Sequence, residues 1–183
     1  MRINMSLLAC CALFGGLVGC DSINDGKNSG ITVEAVDAIT DGDSTGVQFT
    51  GTWTMQTEIT ESSCAGLVGL PEKGDTDDET LPLVHSQGEL TPGVNDFGDL
   101  WRFKGAIDAD GGFQWGTVWE FELGGATVKR IELTTGTMES AETGTDATLT
   151  GTAQRRYQVD GLLIDCTATV KLVGERSLLG GGD

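Results

Sequence analysis

The chain predicts an all-β domain, an antiparallel up-and-down meander closed into a barrel, with a two-sheet β-sandwich as the alternative architecture. Three observations carry this. Apolar residues recur with a period of two from Val47 to the end of the chain, no segment shows the 3.6-residue period of an amphipathic helix, and short turn signatures separate the segments. Strands joined by such tight turns are antiparallel neighbours.

The first strand, 47–60, places Val47, Phe49, Gly51, Trp53, Met55, Thr57 and Ile59 on one face and a row of Gln, Thr and Glu on the other. A long acidic connection from Glu61 to Thr80 follows; it holds Cys64 and the run Asp75-Thr76-Asp77-Asp78-Glu79. The second strand is 82–91. The third, 99–108, alternates through Trp101, Phe103, Gly105 and Ile107, and the turn Asp108-Ala109-Asp110-Gly111-Gly112 leads to the fourth, 112–123, with Phe113, Trp115, Thr117, Trp119, Phe121 and Leu123 on one face. Gly124-Gly125 turns the chain into the fifth, 126–139. Glu142-Thr143-Gly144 precedes the sixth, 146–159, whose inward residues are Ala147, Leu149, Gly151, Ala153, Arg155, Tyr157 and Val159. Asp160-Gly161, a type I′ hairpin signal, leads to the last strand, 162–174.

Ahead of the domain stands a different kind of sequence. Arg2 precedes an apolar run of 13 residues from Ser6 to Val18, followed by Gly19 and Cys20. That run is shorter than the roughly 18 to 20 residues a helix needs to cross a bilayer, and its order of basic, apolar and small residues is that of a signal peptide. Leu17-Val18-Gly19-Cys20 resembles the lipobox of bacterial lipoprotein precursors. The resemblance implies cleavage after Gly19, a diacylglycerol on the Cys20 sulfur and an acylated amine, and so an anchor of two or three chains that holds a protein stably at a membrane. The organisation is then a signal peptide at 1–19, a lipidated cysteine with a flexible acidic linker at 20–46, one β domain at 47–176 and a Gly-rich tail at 177–183. Within the linker, Ile31–Ile39 stands apart; its aliphatic residues fit a short strand, a docking segment or plain linker. Asp21 after Cys20 resembles an enterobacterial inner-membrane retention signal, but that code differs between bacterial groups, so the expected location is the cell envelope without a choice of membrane.

Removing the signal segment removes one basic residue from a chain of 11 Lys+Arg and 28 Asp+Glu, moving the formal charge from −17 to −18. Such a polyanion is repelled by nucleic-acid phosphates and by anionic head groups, so nucleic acid is set aside as a partner and the membrane is met through the lipid anchor alone. The charge serves solubility, the commonest reason for such an excess, or else a basic protein partner or cation binding. With Cys10 and Cys11 in the signal segment and Cys20 acylated, Cys64 and Cys166 remain. No C-x-x-C spacing supports a redox role, and an exported domain oxidises such a pair to a structural disulfide. Cys64 follows the first strand and Cys166 begins the last, so the two strands must be antiparallel neighbours. A closed meander then needs an even strand count, and the seven segments imply an eighth, from a split of 126–139 near Thr135-Gly136 or from part of 61–80.

Gly51-Thr52-Trp53 on the first strand resembles the G-x-W motif that opens the lipocalin and avidin barrels of the calycin group. In lipocalins that Trp packs across the closed end near an Arg from the last strand, a place Arg176 would take here, and Thr145-Asp146-Ala147 stands where lipocalins carry T-D-Y. The resemblance implies an eight-stranded lipocalin-like barrel that carries small apolar molecules; no avidin-type ligand residues match.

Two functional readings follow. In one, the inward aromatic faces around Trp53, Trp115 and Trp119, with Arg155 and Tyr157 near one end, line a cavity for a small apolar ligand. In the other the core is filled and the domain is a structural or protein-interaction module of the envelope. Arg155 breaks its apolar face: it anchors a ligand carboxylate, reaches water at a barrel mouth, or marks a bulge. Catalysis has no signature. His85 is the sole histidine and lacks a nucleophile elbow or partner ligands for zinc, the Asp-Gly stretches at 41–43 and 108–111 read as turns rather than calcium loops, and no carboxylate pair stands out. The chain is therefore read as non-enzymatic, without metal or cofactor.

Overall fold

The computed structural model describes residues 30–43, 47–67, 69–93, 101–140, 146–161 and 164–177. The expected lipobox with Cys20, Thr145, and the Gly-rich tail beyond Ser177 lie outside these residues. Eight strands, β1 (Gly51–Ser62), β2 (Thr76–Ser86), β3 (Glu89–Pro92), β4 (Trp101–Ile107), β5 (Gly112–Leu123), β6 (Ala126–Ser140), β7 (Ala147–Val159) and β8 (Ile164–Ser177), form one closed antiparallel barrel in sequence order. Because β1 pairs with both β2 and β8, the sheet has no free outer edge and the sandwich alternative is excluded.

Of the two expected sources of the eighth strand, part of 61–80 contributes and a split of 126–139 does not. β6 runs unbroken through Thr135 and Gly136, whereas the expected strand 82–91 is cut by a two-residue hairpin at Gln87-Gly88, and β2 begins at Thr76 inside the expected loop. Both hairpin residues have positive φ, 51° at Gln87 and 82° at Gly88, the requirement of a type I′ turn. Glutamine rarely takes that conformation, so no Asn-Gly or Asp-Gly signal marks the turn. By contrast Gly124-Gly125, both with positive φ, forms the expected hairpin between β5 and β6.

A short helix, α1 (Val33–Asp37), settles the reading of Ile31–Ile39 as a docking segment, helical rather than extended. Thr32 caps it by accepting from the Ala35 amide at 3.1 Å. Val36 is fully buried on the outer wall with Ile31, Val118 and Ile131. Gly116 makes this possible, since a Cβ there would stand 2.8 Å from a Val36 methyl.

Inside the barrel, the end carrying the β2–β3 and β4–β5 hairpins is packed solid with Trp53, Leu83, Leu90, Ile107, Phe113, Met138 and Leu149. Trp53 is wholly buried, donates its indole N–H to the Phe49 carbonyl at 3.1 Å, and lies opposite Arg176 in the β1–β8 ladder. The Arg176 stem passes over Gly51, where a Cβ would meet it at 2.8 Å, and its guanidinium donates to the Gln48 carbonyl at 2.6 Å. Gly136 and Gly151, paired across β6 and β7, similarly leave room for the Phe113 ring. At the opposite end, Cys64 and Cys166 form a disulfide with Cα atoms 5.2 Å apart. It ties the 63–75 connection to β8, and Leu67 and Leu70 of that connection pack onto the core.

Candidate functional site

Buried packing continues toward the disulfide end through Ile59, Val128, Val159, Ala168 and Val170. At that end a cavity of about 350 Å³ opens between β1, β2, β4, β5 and β6, walled on its apolar side by Met55, Leu81, Trp101, Phe103, Trp115 and Trp119. The wall is an aromatic ladder set by register: Trp101 faces Trp119 and Phe103 faces Thr117 across β4 and β5. Trp115 is stacked on Phe113 at 4.4 Å between ring centroids, while Phe103 leans toward both Trp115 and Trp101. Trp119 at the rim is 40% exposed, and the Arg130 guanidinium lies 5.0 Å over its ring.

The five residues expected to line one cavity are divided. Trp115 and Trp119 line it, whereas Trp53 belongs to the solid end. Arg155 and Tyr157 line a second recess, about 640 Å³, beneath Leu67, Leu70 and Pro71 of the disulfide-bound connection.

Arg155 neither reaches water nor marks a bulge, and the β6–β7 ladder runs through it without a register shift. Its Nε donates to Glu132 Oε2 at 2.5 Å and its Nη2 to Glu79 Oε1 at 2.9 Å, with the Arg155 and Glu132 side chains almost fully buried. The guanidinium is thus already neutralised by two carboxylates and is not left to anchor a ligand carboxylate. Burial acts to raise the pKa of Glu132, but Arg155 and Arg130, with hydrogen bonds from Arg155 and Thr134, outweigh it and hold the carboxyl below its ordinary value. Burial raises the Tyr157 pKa, against the opposing pull of Arg155 and Arg130.

Glu79, Arg130, Glu132 and Thr117 are site residues that the sequence reading missed. Strand parity was the available signal, because Arg130, Glu132 and Thr134 share the inward face of β6 with Val128 and Met138. Two polar atoms there are buried without a hydrogen-bond partner among the described residues: Thr117 Oγ1 and Arg130 Nε. No cluster of metal-ligating side chains occurs among the described residues. At the closed end, the 108–111 segment is a turn, with the Asp110 side chain accepting from the Gly112 amide.

His85 lies buried on β2, where Nδ1 accepts from the Phe49 amide at 3.3 Å. Burial lowers its pKa below the ordinary 6.5, partly countered by a backbone hydrogen bond at Val47. Above that value neither the folded nor the unfolded chain protonates it; below, the unfolded chain takes up a proton that the fold resists, so stability declines as pH falls. Glu132 and Asp165, whose folded pKa values are depressed by their arginine partners, add stability that is lost at lower pH still. Thermal unfolding followed against pH is expected to show a plateau above neutrality and two successive declines on acidification. His85→Gln should abolish the first decline and spare the second.

The fold and the site define a small up-and-down β-barrel with one solid end and an aromatic, polar-edged cavity at the other. Comparison with protein-family models, curated proteins and solved structures gives no match.

Proposed function

We propose that the protein is a cell-envelope lipoprotein whose barrel binds one small, mostly apolar molecule in the disulfide-end cavity, and that it works by binding and not by catalysis. The observation that carries this is the cavity itself: about 350 Å³, within the roughly 300–1,000 Å³ of small-molecule sites, apolar on its broad wall and polar at a few convergent points. The anchor rests on the Leu17–Cys20 lipobox resemblance. Gly30, where the described chain begins, stands ten positions beyond Cys20. At no more than about 3.6 Å per position, that stretch keeps the domain within about 36 Å of its lipid. Partners in this reading are the membrane through the acyl chains and the ligand within the barrel.

Membrane fractionation followed by native mass spectrometry tests both parts. Wild type is expected in the membrane fraction with Cys20 as its acylated N-terminus, and Cys20→Ser as a soluble protein or unprocessed precursor. Both forms should carry a non-covalent small molecule that leaves on unfolding. Normal membrane fractionation of Cys20→Ser contradicts the anchor, and protein that carries no such molecule and takes none up from an envelope extract contradicts the ligand.

A further inference from the structure

We infer that the cavity selects an uncharged, flat, conjugated ligand bearing a hydrogen-bond acceptor on one edge, read by the Thr117 hydroxyl and Arg130 Nε–H, and that it discriminates against anions. This rests on the binding reading above and adds the chemistry of the ligand to it.

Three observations lead there. The broad wall is made of aromatic side chains, Trp101, Phe103, Trp115 and Trp119, which favour a planar π-system over an alkyl chain. The polar edge holds Thr117 Oγ1, on a side chain 8% exposed, and Arg130 Nε, both buried and both without a partner among the described residues. Buried polar groups are nearly always hydrogen-bonded, so two orphans on the lining of one cavity mark where a ligand atom completes the set. Thr117 and Arg130 stand on paired strands one step apart, on the same inward face, with Arg130 opposite Trp119 and Glu132 opposite Thr117.

The charge of the ligand follows from its neighbours. Asp77, Glu79 and Glu132 line the same cavity as Arg130, while Arg155 is consumed by Glu79 and Glu132. A ligand carboxylate would face three carboxylates across a cavity whose lining arginine, Arg130, already offsets Glu132 and lies over Trp119. A neutral carbonyl or ether oxygen accepts from the same two donors without that repulsion.

The test is a calorimetric titration of the folded protein from Cys20 onward with three probes of one shape: naphthalene, acetylnaphthalene and naphthoate. Acetylnaphthalene is expected to bind about tenfold more tightly than either of the others, the scale set by satisfying a buried donor. Thr117→Val keeps the side-chain shape and removes the donor; it and Arg130→Met should close the gap between the two probes, the ratio of acetylnaphthalene to naphthalene affinity falling from about tenfold to about one. Equal affinity for naphthalene and acetylnaphthalene, a preference for naphthoate, or a parallel loss of every probe in the variants overturns the inference and leaves the binding reading standing. Absence of binding by all three to wild type of unchanged melting temperature overturns the binding reading itself.

Discussion

Arg155→Met is expected to destabilise the barrel by about 3 to 5 kcal/mol, because it leaves the Glu132 carboxylate buried with its principal counter-ion gone. Urea unfolding measures the loss. Arg155 and Glu132 are paired directly across β6 and β7 at 2.5 Å, deep in the barrel, and Glu132 also accepts from the Thr134 hydroxyl. The double variant Arg155→Met, Glu132→Leu should recover most of that loss, since well-packed apolar residues replace a buried ion pair at little or no cost. Glu79 is left behind at the recess, where its partly exposed side chain can turn to water. A double variant as unstable as the single would show that the pair holds more than its own charge balance.

Removal of the disulfide is the second large effect. Cys64 and Cys166 lie 102 residues apart, and a loop of that length contributes up to about 4.7 kcal/mol in the chain-entropy model. Cys64→Ser with Cys166→Ser is expected to lower the denaturant midpoint accordingly, although β1 and β8 pair over ten residue pairs without it. The local consequence falls on the 63–75 connection, held to β8 by Ser63 and Thr167 as well as by the disulfide. Hydrogen exchange there should accelerate more than in the β6–β7 ladder. Uniform acceleration across the barrel would place the effect of the disulfide in the unfolded chain alone.

Most of the barrel was legible because one face of most strands is apolar and its turns carry Gly in recognisable places. The closure argument from Cys64 and Cys166 gave the correct even count, and β1 and β8 are indeed neighbours. Where the reading failed, a single residue or a single contact explains it. Gln87 occupies a left-handed turn position that favours Gly or Asn, which hid the β2–β3 hairpin inside an apparent strand. The polar core of the site was hidden by α1: it covers Val118 and Ile131 on the outer wall, so apolar residues stand outside on β6 while Arg130, Glu132 and Thr134 face in. Hydrophobic alternation identifies a strand but assigns its faces only when the outer face meets water. Arg155 stood out as a lone misplaced charge for the same reason, its partners being concealed in a strand of inverted polarity and, for Glu79, in a segment read as loop.

The binding reading requires a ligand-accessible space at the disulfide end of the barrel. Its most direct test is titration of wild type and Leu81→Trp with the neutral fluorophore N-phenylnaphthylamine, beside their melting temperatures. Leu81 lines the cavity, and a larger side chain placed there should fill it without the 1 to 3 kcal/mol that overpacking a closed core costs, about that range being usual. Wild type is predicted to bind the fluorophore saturably, one molecule per chain, and Leu81→Trp to keep its melting temperature while losing that binding. Non-saturable uptake by wild type, or a Leu81→Trp barrel that melts several degrees lower and binds as before, would contradict the account.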